Sequence, residues 1–215
     1  MTVLLLHAFP LDERMWEPQR EALRDQEVHA PRLYGRGRTI ASWAESVADE
    51  TDGELAVVGA SMGGYCGLAL ARLLPERVRG LLLLGARPDA DSPERRAGRA
   101  DTIDLIRREG ADGLWESMEP KLFHDRSKAD QTLEFHDPER LVEAVEAIRD
   151  RADSTDVARA LDGRTRFVVG EFDPFVSAHE LEGFDLREIP GVGHLVNLER
   201  ADMFNSVLRE FLADV

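Results

Sequence analysis

The chain alternates between short apolar runs and longer segments in which apolar residues recur every three or four positions. Six segments have the length and character of strands, at residues 3–6, 28–33, 55–58, 78–84, 166–169 and 186–189. The continuously apolar runs among them are typical of strands buried on both faces of a parallel sheet. The weaker run at 28–33 contains Pro31, which is tolerated on an edge strand but not in a central one, so we expect it at an edge.

The segments between these strands have helical spacing. They lie at 15–23, 42–50, 62–74, 93–109, 112–123, 138–151, 154–161, 177–181 and 199–212. Asp12 and Ser42 are predicted to cap the first two. Alternating strands and helices predict the α/β fold class, a single domain over 1–215 with a doubly wound, mostly parallel sheet of about six strands. Because no strand pattern occurs at about 89–160, this block is predicted to be a small helical lid.

The composition narrows the range of partners. The chain carries 27 basic and 42 acidic side chains, for a net charge of -15. Such a chain has no electrostatic reason to bind nucleic acid or an anionic membrane surface, and an uncharged substrate is expected. The single cysteine, Cys66, excludes a disulfide within the chain. Residues 1–6 begin a strand without a basic leader region, so a cytoplasmic location is expected.

The clearest chemical motif is Gly59-Ala-Ser61-Met62-Gly63, between a strand and a helix rich in alanine and leucine. A strand, a sharp turn and a helix are what a nucleophile elbow requires. The two glycines lack the Cβ atoms that would collide where strand and helix approach closely, and the turn exposes the serine hydroxyl. Ser61 is therefore the predicted nucleophile.

A serine hydroxyl needs a base to take its proton, and that base needs a carboxylate to orient it. His194 follows a strand end late in the chain, and Asp173 follows the strand before it. Ser61, Asp173 and His194 thus have the chain order of nucleophile, acid and histidine expected of this motif. Glu171, Asp89 and Asp91 are the competing candidates for the acid.

Two backbone donors are predicted to form an oxyanion hole, the N–H of Met62 after the nucleophile and the N–H of Phe9 after the first strand. Substrate-pocket candidates are His7 at the end of that strand and four residues spaced to form a pocket roof, Trp115, Met118, Leu122 and Phe123. The same spacing also fits a simple helical core. Neither His124-Asp125 nor His136-Asp137 has metal-ligand spacing on a defined element, so no metal is expected.

These motifs resemble the α/β-hydrolase fold superfamily. The resemblance covers almost the whole chain, in HAFPLD, GASMGG, AIRDRADSTDVARAL, VGEFDP and PGVGHLVNLE. Together they look like the small-lid esterases and enol-lactonases, such as 3-oxoadipate enol-lactonase. The resemblance implies a serine hydrolase of small carboxylic esters or lactones that works without a cofactor. It places the nucleophile, acid and base on Ser61, Asp173 and His194, and the oxyanion donors on Phe9 and Met62.

The chain departs from this family's pattern in three places. It begins directly at the strand before the HAFP loop, so the sheet is expected to lack the usual N-terminal hairpin and to leave 28–33 as an exposed edge, where a homodimer could form. Ala8 replaces the usual glycine, and the interval from Asp173 to His194 is short. Two alternatives stay open: a non-catalytic small-molecule binder, and a C–C hydrolase or cofactor-free haloperoxidase using the same triad.

Overall fold

A computed structural model describes residues 1–131, 137–161 and 163–215. Its centre is one six-stranded sheet in which every neighbouring pair is parallel. The spatial order is β2-β1-β3-β4-β5-β6. The strands are β1 Thr2–Leu6, β2 Val28–His29, β3 Leu55–Ala60, β4 Val78–Leu84, β5 Thr165–Gly170 and β6 Asp185–Ile189. The predicted six-stranded α/β architecture is confirmed.

Alternate residues of each central strand point into two hydrophobic cores, one on each face of the sheet. In β1, Leu4 and Leu6 belong to one core, whereas Val3 and Leu5 belong to the other. All four side chains are at most 1% exposed. Burial on both faces explains why the central strands are continuously apolar rather than alternating with polar residues.

Helices cover both faces of the sheet. They are α1 Glu17–Ala22, α2 Ile40–Asp49, α3 Met62–Leu73, α4 Pro93–Leu122, α5 Pro138–Arg149, α6 Thr155–Ala160, α7 Val196–Glu199 and α8 Ala201–Asp214. Short 3-10 turns at Glu13–Trp16, Arg126–Gln131 and Ala178–Leu181 complete the regular structure of the described residues. None of the helices in these ranges is both long and apolar enough to cross a membrane.

The start of α2 and the division of the last helix differ from the sequence-based prediction. Asp12 caps its segment as predicted, accepting a hydrogen bond from the Arg14 N–H. The N-cap of α2 is Thr39, not Ser42, and Ser42 is the third helical residue of a capping box in which the two side chains serve each other's backbone N–H. The predicted last helix is divided at Arg200 into α7 and α8.

The edge strand β2 is shorter than predicted. Only Val28 and His29 pair with β1, because the chain leaves the sheet before Pro31. A two-residue edge offers little unpaired backbone to another chain. A homodimer through 28–33 stays a prediction. Size-exclusion chromatography at micromolar concentration would test it.

The segment between β4 and β5 contains α4, α5 and α6, and we call residues 89–160 the lid segment; residues 132–136 lie outside the description. The predicted helices at 93–109 and 112–123 form one run, α4, interrupted at Gly110. Gly110 has φ 71° and ψ -161°, a conformation that glycine adopts readily. The break redirects the second half of α4, which ends at Leu122 above the carboxyl ends of the strands.

Candidate active site

Ser61 lies at the sharp turn between β3 and α3. Its φ is 48° and its ψ is -112°, and it is the single non-glycine residue with positive φ in the described part of the chain. The turn is held because the Ser61 N–H donates to the Leu84 carbonyl at 2.7 Å and the Gly64 N–H donates to the Ser61 carbonyl at 2.9 Å. Strained backbone of this kind concentrates at functional sites, where the surrounding structure enforces it.

The glycines around Ser61 allow three backbones to meet. A Cβ on Gly59 would lie 2.6 Å from the Gly63 carbonyl oxygen, and a Cβ on Gly63 would overlap the carbonyl group of Leu6 in β1. These are contacts with backbone, which cannot rotate away. The motif thus permits α3 to start directly against β1 and β3.

His194 and Asp173 come together at the carboxyl ends of the strands. His194 Nδ1 lies 2.8 Å from Asp173 Oδ2, and the two side chains are 3% and 0% exposed. The other carboxylate oxygen, Oδ1, accepts from the backbone N–H groups of Phe175 at 2.8 Å and Val176 at 3.1 Å. Phe175 also packs edge-on against the imidazole, with ring centroids 4.8 Å apart. The acid is therefore fixed by the loop after β5, and the imidazole is fixed by the acid.

The surroundings of Asp173 keep it ionised. Burial by itself raises the pKa of this carboxyl group, but the charge and hydrogen bond of His194 and the N–H groups of Phe175 and Val176 more than offset burial. The pKa of Asp173 is consequently lowered from its ordinary value of 3.8. An ionised Asp173 directs the imidazole proton to Nδ1, which leaves Nε2 as the basic nitrogen.

Gly85, directly after β4, makes room for this pair. It has φ +55°, and a Cβ there would lie 2.8 Å from His194 Nδ1 and 3.2 Å from Asp173 Oδ2. This glycine is not identified as part of the site in the sequence analysis. Its position immediately after a buried strand is the signal that could have identified it.

The buried carboxylate of Glu199 was also missed. Its Oε1 accepts from the Gly193 N–H at 2.8 Å, and its Oε2 accepts from the Asp125 N–H at 2.7 Å. Gly193 precedes His194, whereas Asp125 follows the end of α4, so one carboxylate joins the histidine loop to the lid segment. The Leu122 carbonyl strengthens this junction by accepting from the His194 N–H at 3.1 Å.

A small cavity of about 30 Å³ is lined by Ser61 and His194, two of the three candidate catalytic residues. Its lining residues are Phe9, Ser61, Tyr65, Arg95, Arg99, Met118, Leu122, Ile148, Phe175 and His194. The two halves of α4 supply part of the wall, so the lid segment covers the site. A larger cavity of about 400 Å³ lies beside it and shares Tyr65 as a wall.

The predicted pocket residues divide into two groups. Met118 and Leu122 line the small cavity, whereas His7, Trp115 and Phe123 are not among its described lining residues. His7 is fully buried, and its Nε2 accepts from the Leu33 N–H at 2.9 Å. It therefore fastens the loop after 28–29 to the end of β1. Phe123 and Trp115 pack against the core on the α8 face of the sheet.

The competing acids lie in other interactions. Glu171 is exposed and accepts from the Gly191 N–H at 2.9 Å. Asp89 forms an ion pair with Arg87, and Asp91 forms ion pairs with Arg99 and Arg151. Asp173 is thus the carboxylate that the structure brings to His194.

Both candidate oxyanion donors are close to Ser61 in the fold. Phe9 lines the same cavity as Ser61, and Met62 follows Ser61 in the chain as the first residue of α3. The neighbouring Ala8 N–H is directed away to Met15 Sδ at 3.1 Å. First-turn N–H groups have no partner within their own helix and favour negative charge, which suits Met62 for this role.

Within residues 1–131, 137–161 and 163–215, no three His, Cys, Asp or Glu side chains are grouped so that they could hold a metal ion. His136, one of the histidines weighed from the sequence, lies outside the described residues.

Comparison with known proteins finds hydrolases of the same fold. A thermophilic esterase from Thermogutta terrifontis, solved with malate bound, is 32% identical to this chain with a TM-score of 0.88. The match covers 100% of this chain and 90% of the esterase chain. The enol-lactonase from Burkholderia xenovorans LB400 is 25% identical with a TM-score of 0.82, over 99% of this chain and 91% of that one.

Among curated proteins, pimeloyl-(acyl-carrier protein) methyl ester esterase from Aromatoleum aromaticum is 32% identical over 93 residues. That match spans 40% of this chain and 37% of the esterase, less than half of either protein. The sequence model of the alpha/beta hydrolase family matches residues 3–207, nearly the full chain. This protein therefore belongs to the alpha/beta hydrolase family.

Proposed function

We propose that this protein is a serine hydrolase that cleaves small carboxylic esters or lactones through an acyl-enzyme intermediate. The observation that carries the proposal is that His194, which is hydrogen-bonded to Asp173, lines the same cavity as the strained Ser61. Relatives named as an esterase and an enol-lactonase support the same class of reaction.

In the first half of the reaction, Ser61 Oγ attacks the ester carbonyl carbon while His194 Nε2 takes the hydroxyl proton. Asp173 holds the Nδ1–H and stabilises the imidazolium that forms. The negative charge on the carbonyl oxygen is stabilised by the N–H groups of Met62 and Phe9. Collapse of the tetrahedral intermediate expels the alkoxide, which leaves as the alcohol with the proton from His194.

In the second half, His194 takes a proton from water, and the hydroxide that results attacks the acyl-enzyme. The same two N–H groups stabilise the second tetrahedral intermediate. Its collapse releases the acid and returns the proton to Ser61. For a lactone, the acid and the alcohol leave as a single hydroxy acid.

The size of the cavity adds a requirement for substrate entry. A space of about 30 Å³ has room for little more than a water molecule. We propose that movement of the lid segment or of Tyr65 enlarges this space when the substrate binds. Movement of Tyr65 would connect the site to the neighbouring cavity of about 400 Å³, which is large enough for a medium acyl chain.

The test is hydrolysis of 4-nitrophenyl acetate, butyrate and octanoate by the wild type and by Ser61→Ala. We expect turnover by the wild type and a loss of about 10⁴-fold or more in kcat for the variant, because its side chain has no nucleophile. The preferred acyl length reports how far the substrate extends past Tyr65.

Retained activity in Ser61→Ala would contradict the mechanism. A folded wild type that hydrolyses neither these esters nor a panel of lactones would favour the alternative of a non-catalytic binder. Thermal stabilisation by a small ligand without turnover would then be the expected finding.

A further inference from the structure

The cavity around Ser61 has a cationic wall. Arg95 and Arg99 both line it, and their spacing of four residues places them on the same face of α4. In a protein with a net charge of -15, two guanidinium groups facing a nucleophilic serine need an explanation.

The two arginines differ in which of their guanidinium nitrogens donate hydrogen bonds within the protein. Arg95 Nη2 donates to the Phe175 carbonyl at 3.1 Å and to Glu180 Oε1 at 2.9 Å, so its outer end is occupied. Arg99 donates only through Nε, to Asp91 Oδ2 at 3.1 Å. Its two terminal nitrogens have no hydrogen-bond partner among the residues that the structure describes, and its side chain is 25% exposed.

The charge of Arg99 is also only partly compensated. Its partner Asp91 is fully buried and is shared with Arg151, whose Nη1 donates to Asp91 Oδ1 at 2.6 Å. Asp89 also acts on Arg151 but pairs with Arg87, and Glu180 is shared by Arg87 and Arg95. Four guanidinium groups therefore meet three carboxylates, and one positive charge is left over. Ion pairs of low exposure are costly unless each charge is matched, so an anion at this position would be stabilised.

Arg151 cannot bind that anion unless its side chain rearranges. Its side chain is 3% exposed and its guanidinium lies over the ring of Tyr65, 4.1 Å from the centroid. Its Nε and Nη2 are buried without a hydrogen-bond partner. Arg151 and Asp91 thus form a buried support, and Arg99 is the accessible end of the group.

We propose that Arg99 binds a carboxylate of the substrate, so that the preferred substrates are esters or lactones that carry a free carboxylate. The Nε bond to Asp91 fixes the guanidinium plane, and the free terminal nitrogens present a fork that suits a carboxylate. This subsite rests on the proposed hydrolase function and deepens it. It departs from the expectation of an uncharged substrate, which followed from the charge of the whole chain rather than of the cavity.

The experiment compares monomethyl and dimethyl esters of succinate, glutarate and adipate. Each pair has the same length and differs in one negative charge, and the three lengths sample the reach from Ser61 to Arg99. Binding is measured by calorimetry to Ser61→Ala, which cannot turn the esters over. Hydrolysis by the protein with Ser61 intact is followed in parallel by acid release.

We expect the monoester of at least one length to bind about tenfold more tightly than its diester, because a charge-assisted hydrogen bond has roughly that effect. Adding Arg99→Gln should remove this preference, so that the monoester and the diester bind with similar affinity. Arg99→Lys should retain part of it, since the charge remains and the fork is lost. Arg107→Gln is the matched control, because it removes the same charge from the exposed side of the same helix.

Equal affinity for monoester and diester at every length would overturn the proposal, as would an equal loss for both in Arg99→Gln. If Arg99→Gln does not fold, Arg99→Lys decides, and an unchanged preference in that variant together with no dependence on salt would also overturn it. A preference that depends on Arg99 in a protein that hydrolyses neither these esters nor the panel of lactones would support the subsite and contradict the hydrolase function.

Discussion

Single residues set the geometry of this site through what they lack. Gly63 starts α3 against β1, where a Cβ would overlap the carbonyl group of Leu6. A Cβ on Gly59 would collide with the backbone of α3, and a Cβ on Gly85 would collide with the His194 side chain. These glycines are required by packing, whereas the serine between two of them adopts a positive φ that only the surrounding contacts enforce.

We expect Gly63→Ala to lower the free energy of unfolding by about 3 kcal/mol, because the new methyl group meets backbone on a buried strand. Gly98→Ala is the matched control, since Gly98 lies in α4 with nothing within 4 Å of its would-be Cβ. That control should stabilise the protein by about 0.5–1 kcal/mol through helix propensity. Urea unfolding measures both, and a neutral Gly63→Ala would show that α3 can shift away from β1.

At the scale of elements, the junction between the lid segment and the histidine loop depends on one side chain. The Glu199 carboxylate accepts one backbone hydrogen bond from the lid segment and one from the histidine loop, and this residue is only 6% exposed. The Leu122 carbonyl adds a second connection to the same loop. The histidine is therefore oriented from two directions, by Asp173 through its ring and by the lid segment through its backbone.

Glu199→Gln should lower both stability and turnover. An amide nitrogen cannot accept a hydrogen bond, so either the Gly193 or the Asp125 N–H loses its partner, at about 1–3 kcal/mol for a buried donor. Thermal melting and kcat on 4-nitrophenyl butyrate are the measurements. Glu210→Gln on the exposed face of α8 is the control. Wild-type values for both in Glu199→Gln would contradict a positioning role.

At the scale of the whole molecule, acid stability reports on the buried His194 and Asp173 pair. The pKa of Asp173 is lower in the folded protein than its ordinary value of 3.8, so its contribution to stability is fully present above that value. The contribution is lost as the pH falls through the lowered folded-state pKa, since the unfolded chain then binds the proton more readily.

We therefore expect the wild type to be more stable than Asp173→Asn above pH 4, with the difference in Tm shrinking as the pH falls below 3.8. The other carboxyl groups titrate in both proteins, so their contribution to the pH dependence cancels in the difference in Tm. The same variant should lose roughly 10³- to 10⁴-fold in kcat at neutral pH, because the imidazole is no longer held in the reactive tautomer. A Tm difference that does not change with pH would contradict the lowered pKa.

The sequence determined much of the architecture, because its signals are local. Buried parallel strands are continuously apolar, and the period of 3.6 identifies helices such as α8 within the same short window. The turn glycines and the order of Ser61, Asp173 and His194 likewise lie within short motifs. Because strand ends meet along one edge of a parallel sheet, chain order alone was enough to place these three residues together as candidates.

The tertiary structure alone decided the rest. Glu199 and Asp125 are 74 positions apart, and Arg151 and Asp91 are 60 apart. In a chain that is 32% charged, each of these side chains by itself resembles an ordinary surface charge. Their burial, the shared carboxylate of Asp91 and the free end of Arg99 follow from how the lid segment packs on the sheet. Such packing depends on contacts between distant segments, which no local pattern of residues encodes.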